Sequence, residues 1–297
     1  QYNYPERSTI RELVCNGLDS LKEKFIARAI LSGEAKEEDY FLRRDDPKYK
    51  DSNFNSAYYD LQYLSDVNHV RIDYFEGPES QKDRIEITDY GVGLGGERLA
   101  GYFNLGYSTK RNTKFALGKF GIGAKVALST GVDCYYMESS YNGLLTKWNI
   151  YSTKINSLVP QLNLATRKTN PAIMVGKHCV YAEETTGKNY TKLVVQVRKH
   201  KKQTYIDAVK SQLMYFDNIE FWCTDKDGNE FQQDTKAKIL YEDKHLVVAK
   251  DTLYNKPHII INGVNYGLID FRELELEDKR GNVGIKVSME EVKISPN

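Results

Sequence analysis

Long apolar runs are missing from this chain of 297 residues. Nothing in it approaches the ~20 consecutive apolar residues that a membrane-spanning helix needs, so no span is expected. No charged-then-apolar leader opens it either. Charge of one sign is missing too: 42 basic residues face 41 acidic ones, so no overall field draws nucleic acid or membrane. The one compact basic run, Arg198-Lys199-His200-Lys201-Lys202, reads as a solvated strand-to-helix connection rather than a phosphate-binding patch. Cysteine is scarce and scattered. Cys15, Cys134, Cys179 and Cys223 form no CxxC and no metal-ligand spacing, and the five histidines do not cluster, which points away from structural zinc. Buried free thiols in a reducing cytosol are the simplest account of them. The chain opens at Gln1 rather than methionine, so both ends read as trimmed.

The length suits one large domain or two ordinary ones, with ample material for a core. Residues 6–32 read as a helix, because Ile10, Leu13, Val14, Leu18, Leu21 and Phe25 recur at three- and four-residue intervals. Residues 33–68 are polar and tyrosine-rich, an expected insertion that is partly helical around Ala57 to Leu64. Val70, Ile72 and Tyr74, then Ile85 and Ile87 beyond Gly77-Pro78, alternate as two strands of a hairpin. Strands are expected around 134–139, 144–151, 178–183 and 191–198, with turns at Asn142-Gly143 and Thr186-Gly187. The whole reads as α+β, with helices on one face of a mixed sheet. A second unit is expected from residue 201, with a helix over 205–216, further strands, and hairpin turns at Asp227-Gly228 and Asn262-Gly263.

Inside the first helix stands Asn16, a poor helix former, four residues after Glu12. Glu12, Asn16, Asp19 and Glu23 share one stripe, and alone they read as the wet side of an amphipathic helix. Three patches downstream change that reading. They are Asp89-Tyr90-Gly91-Val92-Gly93, then Gly118-Lys119-Phe120-Gly121-Ile122-Gly123-Ala124-Lys125, then Thr191 opening a strand. Residues 91–96 satisfy GxGxxG, but no βαβ unit with a later ribose-binding acid accompanies them. The run from Gly118 nearly spells a P-loop, yet Ala124 separates Gly123 from Lys125 and no strand immediately precedes it.

Taken in order, the four patches resemble the N box and glycine boxes of the GHKL ATP-binding superfamily. Its members include gyrase B, MutL, MORC proteins, ninety-kilodalton heat-shock chaperones and histidine kinases. The resemblance covers about two thirds of the chain. It implies a GHKL (Bergerat) α/β sandwich over 1–200, carrying the insertion at 33–68 and a mobile lid at 95–117. A smaller α/β transducer-like domain over 201–297 would follow. ATP and Mg²⁺ are the implied cofactors, and an ATP-dependent homodimer is the implied assembly.

The resemblance also implies roles. Glu12 matches the general base that orients water toward the γ-phosphate. Asn16 matches the ligand presenting a neutral carbonyl oxygen to Mg²⁺, an ion that keeps several waters and takes few protein ligands. Asp19 would join through water or orient Asn16. Asp89 would accept a hydrogen bond from the adenine amine, while Gly91 and Gly93 let backbone pass close to the base. Thr191 would join the water network around adenine, although Tyr190 stands where a glycine often precedes it. Backbone N–H groups from Gly118, Phe120, Gly121, Ile122 and Gly123 would cradle the phosphates, with Lys110 or Lys125 neutralising charge.

Asn104-Leu105-Gly106 with Ser108 and Lys110 is similar to the chaperone lid and to an FxxGxSxK-like pattern of MORC proteins. Residues 285–297 resemble a segment of phage rapid-lysis (rIIA-like) proteins that runs into an arginine-bearing motif. Those proteins also share Arg11-Glu12-Leu13, Asn16, Asp19 and a GGFGxGxK-like loop; the insertion at 33–68 departs from them. The chain stops where the arginine would come, so nucleotide binding with poor hydrolysis is expected of this segment. A phage-encoded protein would work in the host cytoplasm. The expected function is a Mg-ATP-driven switch with slow hydrolysis and an unknown protein or nucleic-acid partner. The alternatives are a nucleotide-sensing module without useful turnover and a MORC-like DNA-associated ATPase. A histidine kinase is disfavoured because no phosphoacceptor helix precedes the site.

Overall fold

The computed structural model describes residues 5–41, 54–102, 113, 116–117, 127, 134–154, 161–162, 169–170, 173–250, 257–268 and 283–287. The first half contains α1 (Pro5–Leu31), α2 (Glu37–Tyr40), β1 (Val70–Phe75), β2 (Asp83–Asp89), α3 (Gly96–Tyr102), β3 (Cys134–Tyr141) and β4 (Leu144–Lys154). Then come β5 (Gln161–Leu162), β6 (Thr169–Asn170), β7 (Ile173–Glu184), β8 (Tyr190–Val197), α4 (Lys202–Gln212), β9 (Ile219–Thr224) and β10 (Glu230–Gln233). Last are β11 (Lys238–Glu242), β12 (Leu246–Lys250), β13 (His258–Ile261), β14 (Val264–Leu268) and β15 (Val283–Val287). The expected α+β class holds. The hairpin turns form as their sequences dictate: Asn142-Gly143 and Asn262-Gly263 each place both residues at positive φ.

Eight strands make one sheet in the order β10-β9-β1-β2-β8-β3-β4-β7, antiparallel throughout except for the parallel β1–β9 pair. A second sheet runs β11-β12-β15-β13-β14. The expected division at residue 200 therefore cuts through the first sheet, and the two sheets part between Gln233 and Lys238. The reason is burial. Ile219, Phe221 and Cys223 alternate inward on β9, and Tyr205, Ile206 and Val209 of α4 join the same core. Split off at 200, those side chains would lose the apolar surface they bury against, which is worth about 1.5–3 kcal/mol for each large one.

α1 and α4 pack against each other on one face of the first sheet, α1 lying over β1 and β2. Val70, Ile72 and Tyr74 point under them, with Ile85, Ile87, Leu193 and Val195. The opposite face carries charge pairs, Arg71–Asp73 and Arg84–Glu86 along single strands and Lys192–Glu86 across β8 and β2. The edge strands β7, β11 and β14 each carry a bulge, a common device against edge-to-edge pairing.

α1 is not the half-wet helix its sequence announces. Between Glu6 and Leu31 only Lys22, Phe25 and Leu31 are exposed. Phe25, expected on the apolar stripe, faces outward, whereas Asp19 and Glu23 of the polar stripe are buried. The insertion supplies the second wall: Tyr59 and Leu64 pack with Ala27 and Val92, and Phe54 stacks on Tyr59 at 5.0 Å between centroids. Its expected helical part is two 3-10 turns, Ser56–Tyr58 and Leu61–Tyr63. All four cysteines are free, but only Cys15 and Cys223 are buried; Cys134 is half-buried and Cys179 is exposed on edge strand β7.

Candidate functional site

At the end of the first sheet under α1, the inward face changes character. Register places Asp89 of β2 opposite Thr191 of β8, and Thr191 opposite Ser139 of β3, which in turn faces Thr146 of β4. The next row inward is Ile87, Leu193, Met137 and Trp148. A polar row thus crosses four strands where an apolar one would continue the core. Asp89 and Ser139 within it are buried.

The helix meets that row at a glycine. A Cβ on Gly17 would sit 3.0 Å from Asp89 Cβ and 3.0 Å from Val70 Cγ2, so α1 approaches the strand ends closely there and a larger residue would force one of them to give way. Asn16 is the preceding residue, and Glu12 lies one turn before it. Asp89 and Thr191 thus pair at this end of the sheet, where α1 meets it at Gly17, next in sequence to Asn16. Glu12 is partly exposed, and its carboxylate is held by Arg11 at 2.8 Å from Nη2 and 3.2 Å from Nε. Burial works against the Arg11 charge, but its bonds to Glu12 outweigh that and leave the guanidinium above its ordinary value.

Asp19 is buried, and the Leu117 N–H donates to its Oδ1 at 2.7 Å. It fixes the residue just before Gly118. Ala116 packs against Ile26 and Phe41, and Ala127 joins the main core, so both flanks of the glycine run are anchored. Lys110, Gly118, Phe120, Gly121, Ile122, Gly123 and Lys125 lie outside the described residues, as does most of the expected lid at 95–117.

The turn after Asp89 is held from every side. Asp89 Oδ1 accepts the Gly91 N–H at 3.1 Å, Ser20 Oγ accepts the Val92 N–H at 3.1 Å, and Ser139 Oγ accepts the Leu94 N–H at 2.8 Å. Asn189, fully buried, donates to Val92 O at 3.0 Å and accepts the Asn142 N–H at 2.8 Å. The chain's own packing already requires glycine here. A Cβ on Gly91 would lie 2.1 Å from Ser20 Oγ, and one on Gly93, whose φ is +73°, would lie 2.4 Å from Ser140 O. Thr191 is half-buried, while its neighbour Tyr190 donates to Glu138 at 2.5 Å.

Behind the turn lies a buried ion pair that the sequence did not announce. Arg98 of α3 reaches Glu23 of α1 at 2.9 Å, and the Tyr59 hydroxyl donates to the same carboxylate at 2.5 Å. Burial first, then the Glu23 charge, holds the Tyr59 hydroxyl protonated well above its usual range. Burial opposes the Arg98 charge, yet Glu23 keeps the guanidinium above its ordinary value. Among the described residues, Arg98 Nε and Nη1 have no hydrogen-bond partner.

The second sheet reaches α1 on its other flank. Arg11 stands 5.5 Å from the centroid of the Tyr266 ring on β14. A cavity of about 420 Å³ opens beside it, lined by Leu18, Asp19, Lys22, Leu117, Phe216 and Asn262 among others. Among the described residues there is no group of three or more His, Cys, Asp or Glu that could cage a metal. No helix among them is long and apolar enough to cross a membrane. No protein-family model matches the chain, and no curated protein matches it.

Proposed function

We propose that the chain is a GHKL-type ATP-binding module of the rIIA-like kind, a switch that closes on Mg-ATP, hydrolyses it slowly and dimerises in response. One observation carries this reading. A buried carboxylate, Asp89, ends β2 in line with Thr191 and lies directly beneath Gly17, one residue from Asn16 and five from Glu12. The helix that carries a base–amide pair able to serve phosphates thus meets, at Gly17, an acid able to read an adenine amine, although Asn16 and Asp89 are more than 70 residues apart in sequence.

The Asn16 amide is a donor of the right chemistry for the cofactors. A divalent ion would take a single protein oxygen from it and the rest from phosphates and water, which is the habit of magnesium. Bound Mg-ATP supplies the phosphoanhydride and the charge neutralisation across it. The chain's own residues do the remainder. Asp89 accepts from the base, the anchored turn keeps Asp89 in register, Asp19 fixes the flank of the phosphate loop, and Glu12 orients water. Replacing Glu12 with alanine should spare ATP binding and reduce turnover by ~10²-fold or more, the scale for a positioned base. Single-turnover hydrolysis beside calorimetric ATP binding reads both; weakened binding with unchanged turnover would sink the role.

A second reading rests on the Arg11–Glu12 pair, in which the carboxylate is already engaged. On that reading the module senses ATP or ADP without useful turnover, and Glu12→Ala leaves the measured rate where it was.

A further inference from the structure

α1 buries a lysine completely. Lys24 is 0% exposed, and its Nζ donates to Val67 O at 2.6 Å and to Tyr90 O at 2.8 Å. The first carbonyl ends the insertion; the second belongs to the turn between Asp89 and Gly91. Arg28, one turn along, binds Leu64 O, Ser65 O and Asp66, so the two cations divide the work. Arg28 fastens the insertion, and Lys24 alone reaches the turn. A role confined to filling space would be served by methionine, without the cost of burying an ammonium.

We infer that Lys24 is the positioning residue of the nucleotide turn: its ammonium, gripping Tyr90 O from inside α1, holds Asp89 and Gly91 in the geometry that receives an adenine ring, and the turn loosens when the proton leaves. This rests on the ATP-binding reading above. A hydrogen bond from a charged donor is roughly twice as strong as a neutral one, so the grip depends on protonation. Burial first, and then the charge of Arg28, lower the Lys24 pKa from 10.5 to about 8, against Asp89 and Asp66, which raise it. Those three residues and the Phe25 ring are the groups that face the ammonium.

Two pH effects then run in opposite directions. The unfolded chain holds this proton up to 10.5 and the folded chain only to about 8, so global stability from this group rises with pH across that window. The grip on Tyr90 falls as pH rises through about 8, where the folded chain loses this proton. A merely structural lysine would show the first effect without the second.

The experiment measures ATP affinity and amide-exchange protection at Gly91 and Val92 from pH 7 to pH 9.5, for the wild-type chain and Lys24→Met. Wild-type ATP affinity should fall about fivefold across the range, as a charged hydrogen bond becomes a neutral one. Protection of the nucleotide-free turn should fall with it. Lys24→Met should bind ATP more weakly at pH 7 and show neither slope. A flat wild-type profile, or a slope retained in Lys24→Met, overturns the inference. Should Lys24→Met fail to fold, the wild-type series decides by itself. Absence of ATP binding by the wild-type chain at every pH would defeat the ATP reading, whereas unchanged turn protection across the range would defeat the role of Lys24 whatever the ligand.

Discussion

The two helices on the first sheet bury polar groups in different ways. α4 turns its buried polar side chains mostly upon itself: Ser211 and Gln212 both donate to Ala208 O, with one further bond from Gln212 to Arg7 O. α1 turns its own outward to other segments. Lys24 reaches Val67 and Tyr90, Glu23 takes Arg98 and Tyr59, and Asp19 takes Leu117, partners 36 to 98 residues away in sequence. One helix covers a sheet. The other is a spine from which the insertion, the turn after Asp89, α3 and the flank of the glycine run are all hung. Helix-forming tendency does not separate the two; the destination of each buried polar bond does.

The comparison is tested hardest at Glu23. Glu23→Ala leaves the Arg98 guanidinium buried and unpaired and strips the Tyr59 hydroxyl of its acceptor. Breaking one half of a buried ion pair costs about 3–5 kcal/mol. Chemical denaturation should show a loss of that size, and amide exchange should place its early part at α3 and 54–65. Glu23→Leu combined with Arg98→Met should recover much of it, since replacing a whole buried pair by apolar groups is often neutral. A loss below about 1 kcal/mol for Glu23→Ala, typical of surface pairs, would demote α1 to a helix like α4.

Asp89 comes next. The amide in Asp89→Asn presents a donor where the carboxylate accepts, and the charge-assisted bond to an adenine amine is worth about 1.5–3 kcal/mol. ATP affinity should fall about 10–100-fold by calorimetry, the conversion of that range at room temperature. Binding equal to wild type would leave Asp89 as the acceptor for Gly91 N–H and nothing more.

Much of this frame can be read from residue order. The alternation on β1, β2 and β8 and most of the stripe of α1 follow from periodicity, and the hairpins at Asn142 and Asn262 from their Asn-Gly turns. What escaped has a common cause. Lys24, Ser20, Ser139 and Asn189 bond to backbone N–H and C=O groups. A backbone group looks the same under any side chain, so the partner's sequence carries no mark of the bond. Glu23 was misjudged for a related reason: whether a polar stripe is wet depends on what covers it, and the covering residues Tyr59 and Leu64 lie in an insertion without clear periodicity. The boundary at 200 failed because a helix followed by strands looks the same whether it founds a new sheet or extends an old one.

The smallest effect is expected on α4, and it serves as the control for the largest. Gln203 donates to Asp207 at 2.7 Å one turn along the exposed face, a local bond between solvated partners. Such i,i+4 pairs contribute about 0.2–0.5 kcal/mol to a helix. A double-mutant cycle of Gln203→Ala and Asp207→Ala, followed by denaturation, should therefore return a coupling near the limit of detection. It should leave ATP affinity and the exchange pattern at 89–95 untouched, since this bond lies within one helix. The same cycle at Glu23 and Arg98 should return a coupling several times larger and should shift protection in α3. Equal couplings in the two cycles would mean that the long-range bonds of α1 are no more organising than a surface pair, and the distinction between the two helices would collapse.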